Sequence, residues 1–226
     1  MNTDRKAAVL AGILFLFATA AYLLGNARIE SILGSPDYLT NAYSHKNQIL
    51  TGVLLEFMNS AAVVGIAVVL FPVLKRHSEK IAVGYVGFRV IEAVLLVVGA
   101  IGPLLLVRLS QEFIATGAPA NSYFHTLGAI AEEGSFIAFQ LAMITLGLYS
   151  LLFCHLLYRS SLIPRFISVL GFIGYVSLSA SAIVELMGHS GMILYIPGAL
   201  FEIVMPLWLI VKGFHIVKEP QSTEAA

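Results

Sequence analysis

Six runs of about twenty apolar residues recur along this 226-residue chain, at 7–24, 49–74, 81–107, 134–157, 166–187 and 192–211. A run of that length is what a helix needs to cross roughly 30 Å of hydrocarbon. In lipid every backbone N–H and C=O must find its partner inside the protein, so only helices and closed barrels span. The runs lack the two-residue alternation and the segment length of about ten residues that barrel strands show. The chain therefore reads as all-α, an integral membrane bundle of six transmembrane helices. Composition agrees: 58% of residues are hydrophobic and only 12% charged, against roughly a quarter charged in soluble domains, and the mean hydropathy is +0.89.

The placement of lysine and arginine tests the span count, because short cytoplasmic loops hold the excess of basic residues. Six spans put both termini on one side. That side receives Arg5, Lys6, Lys75, Arg76, Lys80, Arg159, Arg165, Lys212 and Lys218, while the other receives only Arg28, Lys46 and Arg108. Both termini are predicted cytoplasmic, and the formal net charge of +0 conceals a strong sidedness. Arg5-Lys6 followed by an apolar stretch and Ala18-Thr19-Ala20 has the outline of a signal peptide. Apolar sequence continuing to Leu24 favours an uncleaved first span in its place.

Residues 1–218 read as one six-helix membrane domain and 219–226 as a short polar cytoplasmic tail, EPQSTEAA. Two longer outer loops, 25–48 and 108–131, join the spans, and around 188–191 there is only a tight turn. Within those loops ARIESIL and LSQEFIA suit short amphipathic helices lying on the membrane surface. Taken in pairs, the spans suggest three helical hairpins. A Gly-x-x-x-Glu pentad accompanies each even-numbered span: GVLLE at 52–56, GAIAE at 128–132 and GALFE at 198–202.

LFPVLKRHSE at 70–79, GYVGFRVIEA at 84–93 and RKAAVLAGILF at 5–15 resemble a bacterial multi-pass membrane family catalogued as domain of unknown function 4386. The resemblance spans nearly the whole chain and implies an integral membrane protein. It implies no activity, so it transfers no catalytic residue.

Chemistry must then come from polar groups inside the spans, where each ionisable side chain costs on the order of 2.5–3.5 kcal/mol near the bilayer centre. Arg89 and Glu92, three positions apart, share one helix face. Counted from Lys80 at about 1.5 Å per residue, they lie roughly 13 and 18 Å into the span. Glu202, ten residues before Lys212 and sixteen before Lys218, lies about 15 to 24 Å deep by whichever lysine marks the boundary, close to the level of Glu92. Glu56 and Gln140, each nineteen residues before a basic end, lie about 28 Å above it, with Asn59 one turn below Glu56. Glu132 and Glu133 read instead as carboxylates favoured by a helix N-terminus, and Glu185 as interfacial. Gly84 and Gly87, Gly99 and Gly102, and Gly171 and Gly174 read as close helix contacts.

The ligand-binding candidates are Arg89, Glu92 and Glu202, with Glu56, Asn59 and Gln140 toward the outer mouth. No catalytic residue, metal site or cofactor is assigned. The lone Cys154 excludes intrachain disulfides and CxxC chemistry, and no nucleic-acid-binding basic stripe occurs. Expected partners are the lipid bilayer and a small-molecule or lipid ligand. The leading reading is binding or transport of a small polar or amphiphilic molecule at the plasma membrane, the glutamates being suited to proton-coupled movement. Alternatives are an embedded enzyme acting on a lipid or isoprenoid through paired carboxylates, and a non-catalytic membrane partner or sensor. With neither nucleophile nor metal identifiable, the enzyme reading ranks lower.

Overall fold

The computed structural model describes residues 3–118 and 123–215. Eight α-helices run α1 (Thr3–Leu33), α2 (Tyr38–Asn41), α3 (Lys46–Lys75), α4 (Glu79–Gly99), α5 (Ile101–Ala115), α6 (Tyr123–Ser160), α7 (Arg165–Leu186) and α8 (Ile196–Val211), with a 3-10 turn at Met192–Tyr195 before α8. Among them are six segments long and apolar enough to cross a membrane, α4 and α5 counting together as one. This is a multi-pass helical membrane protein. The tail from residue 219 lies outside the described residues, as do 216–218.

Several boundaries differ from the sequence expectation, for reasons visible in the chain. ARIESIL is the continuation of α1 and LSQEFIA the end of α5, so neither is a separate surface helix. The third span is broken at Ala100, which closes α4 and opens α5. Pro103 explains the break: it lacks the N–H that would bond the Gly99 carbonyl, and its ring clashes with that carbonyl in a continuous helix. α6 begins at Tyr123, which puts Glu132 and Glu133 well beyond its first turn. The helix dipole therefore does not account for them, because that field falls off within one turn.

Consecutive spans pack as neighbours, α1 on α3, α3 on α4, α4 on α6, α6 on α7 and α7 on α8, and α8 returns to α1. The six spans therefore form a closed ring. The end of the ring near Arg5 and Arg76, the inner one by the sequence expectation, is tied by several contacts. Arg5 donates from Nη1 to the Leu209 carbonyl (2.9 Å) and from Nη2 to that of Ile210 (2.5 Å), capping the C-terminus of α8. These carbonyls lack partners in the helix, and a cation there also meets the negative end of its dipole. Arg76 after α3 pairs with Asp4 of α1, and His215 N–H donates to the Leu162 carbonyl at 2.8 Å. At this end Ser78 caps α4 by accepting from Ile81 N–H. At the opposite end α2 is held to α5, Tyr43 N–H donating to Ser110 Oγ at 2.9 Å.

Glycines set how closely the ring closes. A Cβ at Gly25 would stand 2.8 Å from the Gly52 carbonyl oxygen, and one at Gly52 2.8 Å from that of Gly25. A Cβ at Gly174 would meet Gly198 Cα at 2.9 Å. Backbones approach this closely only where side chains are absent, as is common between membrane helices. Gly52 and Gly198 are also the first residues of two of the pentads, which gives the motif a packing role.

Candidate functional site

The ring encloses a cavity of about 700 Å³ to which every spanning helix contributes. Arg89 and Glu92 face it from α4, Asn59 from α3, Gln140 from α6, Tyr175 and Glu185 from α7, and Glu202 from α8. A smaller outer chamber of about 360 Å³ adjoins it and includes Glu56, Glu30 and Glu132. Tyr22, Asn59 and Phe139 border both spaces.

On α4 the three-residue spacing does what the helix geometry demands. Arg89 Nη1 donates to Glu92 Oε1 at 3.1 Å and Oε2 at 3.0 Å, and Arg89 Nε donates to Tyr85 Oη at 3.2 Å. The guanidinium also lies over the Phe15 ring at 5.7 Å and the Tyr85 ring at 5.3 Å. Arg89 is 4% exposed and Glu92 2%, so the pair is shielded from the surrounding lipid. One end of the fork stays unused: Nη2 has no hydrogen-bond partner, and neither has the buried Tyr175 hydroxyl. Glu202 joins none of the ion pairs among the described residues.

A second polar group sits in the same cavity. Gln140 Nε2 donates to Glu185 Oε2 at 2.6 Å, and the Tyr195 hydroxyl lies 3.1 Å from both Gln140 Oε1 and Glu185 Oε2. With one proton, that hydroxyl donates to one of them at a time. The group links α6, α7 and the 3-10 turn.

Of the six residues singled out from the sequence, five line the inner cavity and Glu56 lines only the outer chamber. Equal counts from the basic ends had placed Glu56 and Gln140 at one level. They nevertheless border different spaces, Glu56 the outer chamber and Gln140 the inner cavity. Glu185, at the end of α7 and read as interfacial, also lines the cavity and holds Gln140. Tyr175 and Tyr195 were missed, because tyrosine in an apolar run reads as packing. Tyr175 had a signal all the same, standing ten residues after Arg165, the same count that separates Glu202 from Lys212.

Fold and cavity together define a polytopic helical membrane protein whose spans surround a largely apolar cavity carrying a few polar and charged groups. The family model described as Domain of unknown function (DUF4386) matches residues 10–213. The chain belongs to that family. No curated protein and no solved structure matched it.

Proposed function

We propose that this protein binds a small polar or amphiphilic molecule in its inner cavity and passes it across the plasma membrane, with the basic end of the bundle in the cytoplasm. One observation carries the reading: an arginine and carboxyl groups from three helices, costly to place within a membrane, converge on one space. A volume of about 700 Å³ suits a small-molecule site, for which roughly 300–1,000 Å³ is usual. The mostly apolar wall with a few convergent polar groups is the composition such sites have. One guanidinium stands among the carboxyl groups of Glu92, Glu185 and Glu202, a balance favouring ligands with a cationic group. The outer chamber provides the route to the far surface. Small-molecule mass spectrometry of purified protein tests the reading. Wild type should carry a bound molecule that the Glu92→Gln, Glu202→Gln double variant loses at unchanged expression; equal retention by both refutes it.

A further inference from the structure

The inner cavity has a side as well as a mouth. Its lining includes Leu23 of α1, Met192 of the 3-10 turn and Ile203 of α8, which are 60%, 76% and 48% exposed on the surface of the bundle. Residues that border a cavity and are exposed as well mark where it opens. α1 and α8 are clamped at the inner end, where Arg5 caps α8 and Gly12 faces Pro206 and Ile210. Toward the outer end the joint exposure of Leu23 and Ile203 points to an apolar gap between them, on the face that meets the acyl chains.

Behind that gap, the unmet bonding capacity is of two kinds. Arg89 Nη2 and the Tyr175 hydroxyl are buried donors with no acceptor; both residues line the cavity, and since the two donor atoms are themselves covered, a ligand pairs with them as the side chains turn toward it. Tyr175 is 1% exposed. Glu202, on the facing helix, is an acceptor that joins no ion pair among the described residues. A buried donor left unpaired costs roughly 1–3 kcal/mol, so a ligand able to pair all three groups gains over one that pairs only one kind. A simple cation meets only part of this demand, and water, which both donates and accepts, meets it without bringing a charge to either end.

Resting on the binding reading above, we infer that the ligand is a zwitterionic amphiphile: an amine donates to Glu202, a phosphate or carboxylate oxygen accepts from Arg89 Nη2 and Tyr175, and the apolar tail leaves through the gap between α1 and α8. The arrangement gives each end of the headgroup its own partner. Lipid lies against the gap, so such a ligand reaches the cavity from the bilayer.

Equilibrium binding to the purified full-length protein in detergent tests this with four probes. They are dihexanoylphosphatidylethanolamine, dihexanoylphosphatidylglycerol (no amine), dihexylamine (no oxyanion) and O-phosphoethanolamine (no tails). The ethanolamine lipid should bind at least about tenfold more tightly than either probe that lacks one charge, as loss of one charged hydrogen bond implies. Glu202→Gln should erase its advantage over the glycerol lipid, and Tyr175→Phe should erode its advantage over the amine. Either single-charge probe binding as tightly as the ethanolamine lipid overturns the two-ended headgroup and leaves the binding reading intact. O-phosphoethanolamine binding as tightly as the lipid upholds the headgroup and overturns the bilayer source. If no probe binds while the purified protein still carries a Glu202-dependent molecule, this inference alone falls. If neither is found, the binding reading falls with it.

Discussion

Tyr22 of α1 and Phe139 of α6 stack with ring centroids 5.5 Å apart and planes within 10°, and both rings border the outer chamber on one side and the inner cavity on the other. We expect the stacked pair to act as a partition at the boundary the chambers share, which Asn59, Leu96 and Phe136 also border. A stacked pair contributes about 0.5–1.5 kcal/mol beyond its burial, so its removal should speed passage roughly two- to tenfold. In a Cys154→Ala background, a membrane-impermeant thiol reagent added from the outer side should modify Glu202→Cys faster by that factor once Tyr22→Ala is added. An unchanged rate rejects the partition.

The Arg89–Glu92 pair separates a structural role from a binding role. Removing one partner of a buried ion pair costs about 3–5 kcal/mol, whereas replacing both by apolar residues is often neutral or stabilising. Arg89→Leu and Glu92→Leu should each lower the thermal-unfolding midpoint of the purified protein. The double variant should recover that midpoint but not the bound small molecule. Recovery of both would make the pair purely structural.

How much of this was legible in the chain depends on the physics of each feature. Hydrocarbon thickness imposes its length on every span, so the six runs and the basic side were readable by counting. Arg89, Glu92 and Glu202 were readable too, since charge within an apolar run has no cheap explanation. Glu185 escaped because a carboxyl near a predicted boundary reads as wetted, and only the packing of α6 on α7 shows that it meets Gln140. The opening inferred between α1 and α8 has no one-dimensional signature, because it depends on how two helices distant in the chain pack together. Pro103 was in plain view, yet the hydropathy of its run masked the break at Ala100.

Close backbone approach should make two glycine crossings intolerant. Gly25→Val and Gly174→Val each force a side chain into neighbouring backbone, and overpacking of this kind costs typically about 1–3 kcal/mol. Gly87, whose Cβ would meet nothing within 4 Å, is the internal control. Both crossing variants should unfold at lower temperature than Gly87→Val, measured by thermal unfolding in detergent; equal midpoints would contradict the packing described.

The Gln140–Glu185–Tyr195 group should hold the 3-10 turn against α6 and α7. Hydrogen bonds to a charged group contribute about 1.5–3 kcal/mol, so Glu185→Ala should destabilise the protein by a figure of that order. Hydrogen–deuterium exchange should rise in 192–195 more than at the inner ends of α3 and α8. Uniform exchange across these segments would assign Glu185 no such role.

The most direct test is an experimental density map of the purified protein in native lipid. Density for a bound molecule is expected in the inner cavity, within hydrogen-bond distance of Glu202 on one side and of Arg89 Nη2 and Tyr175 on the other. A map in which the cavity is closed, with the Glu202 carboxylate bonded directly to Arg89, would contradict the account.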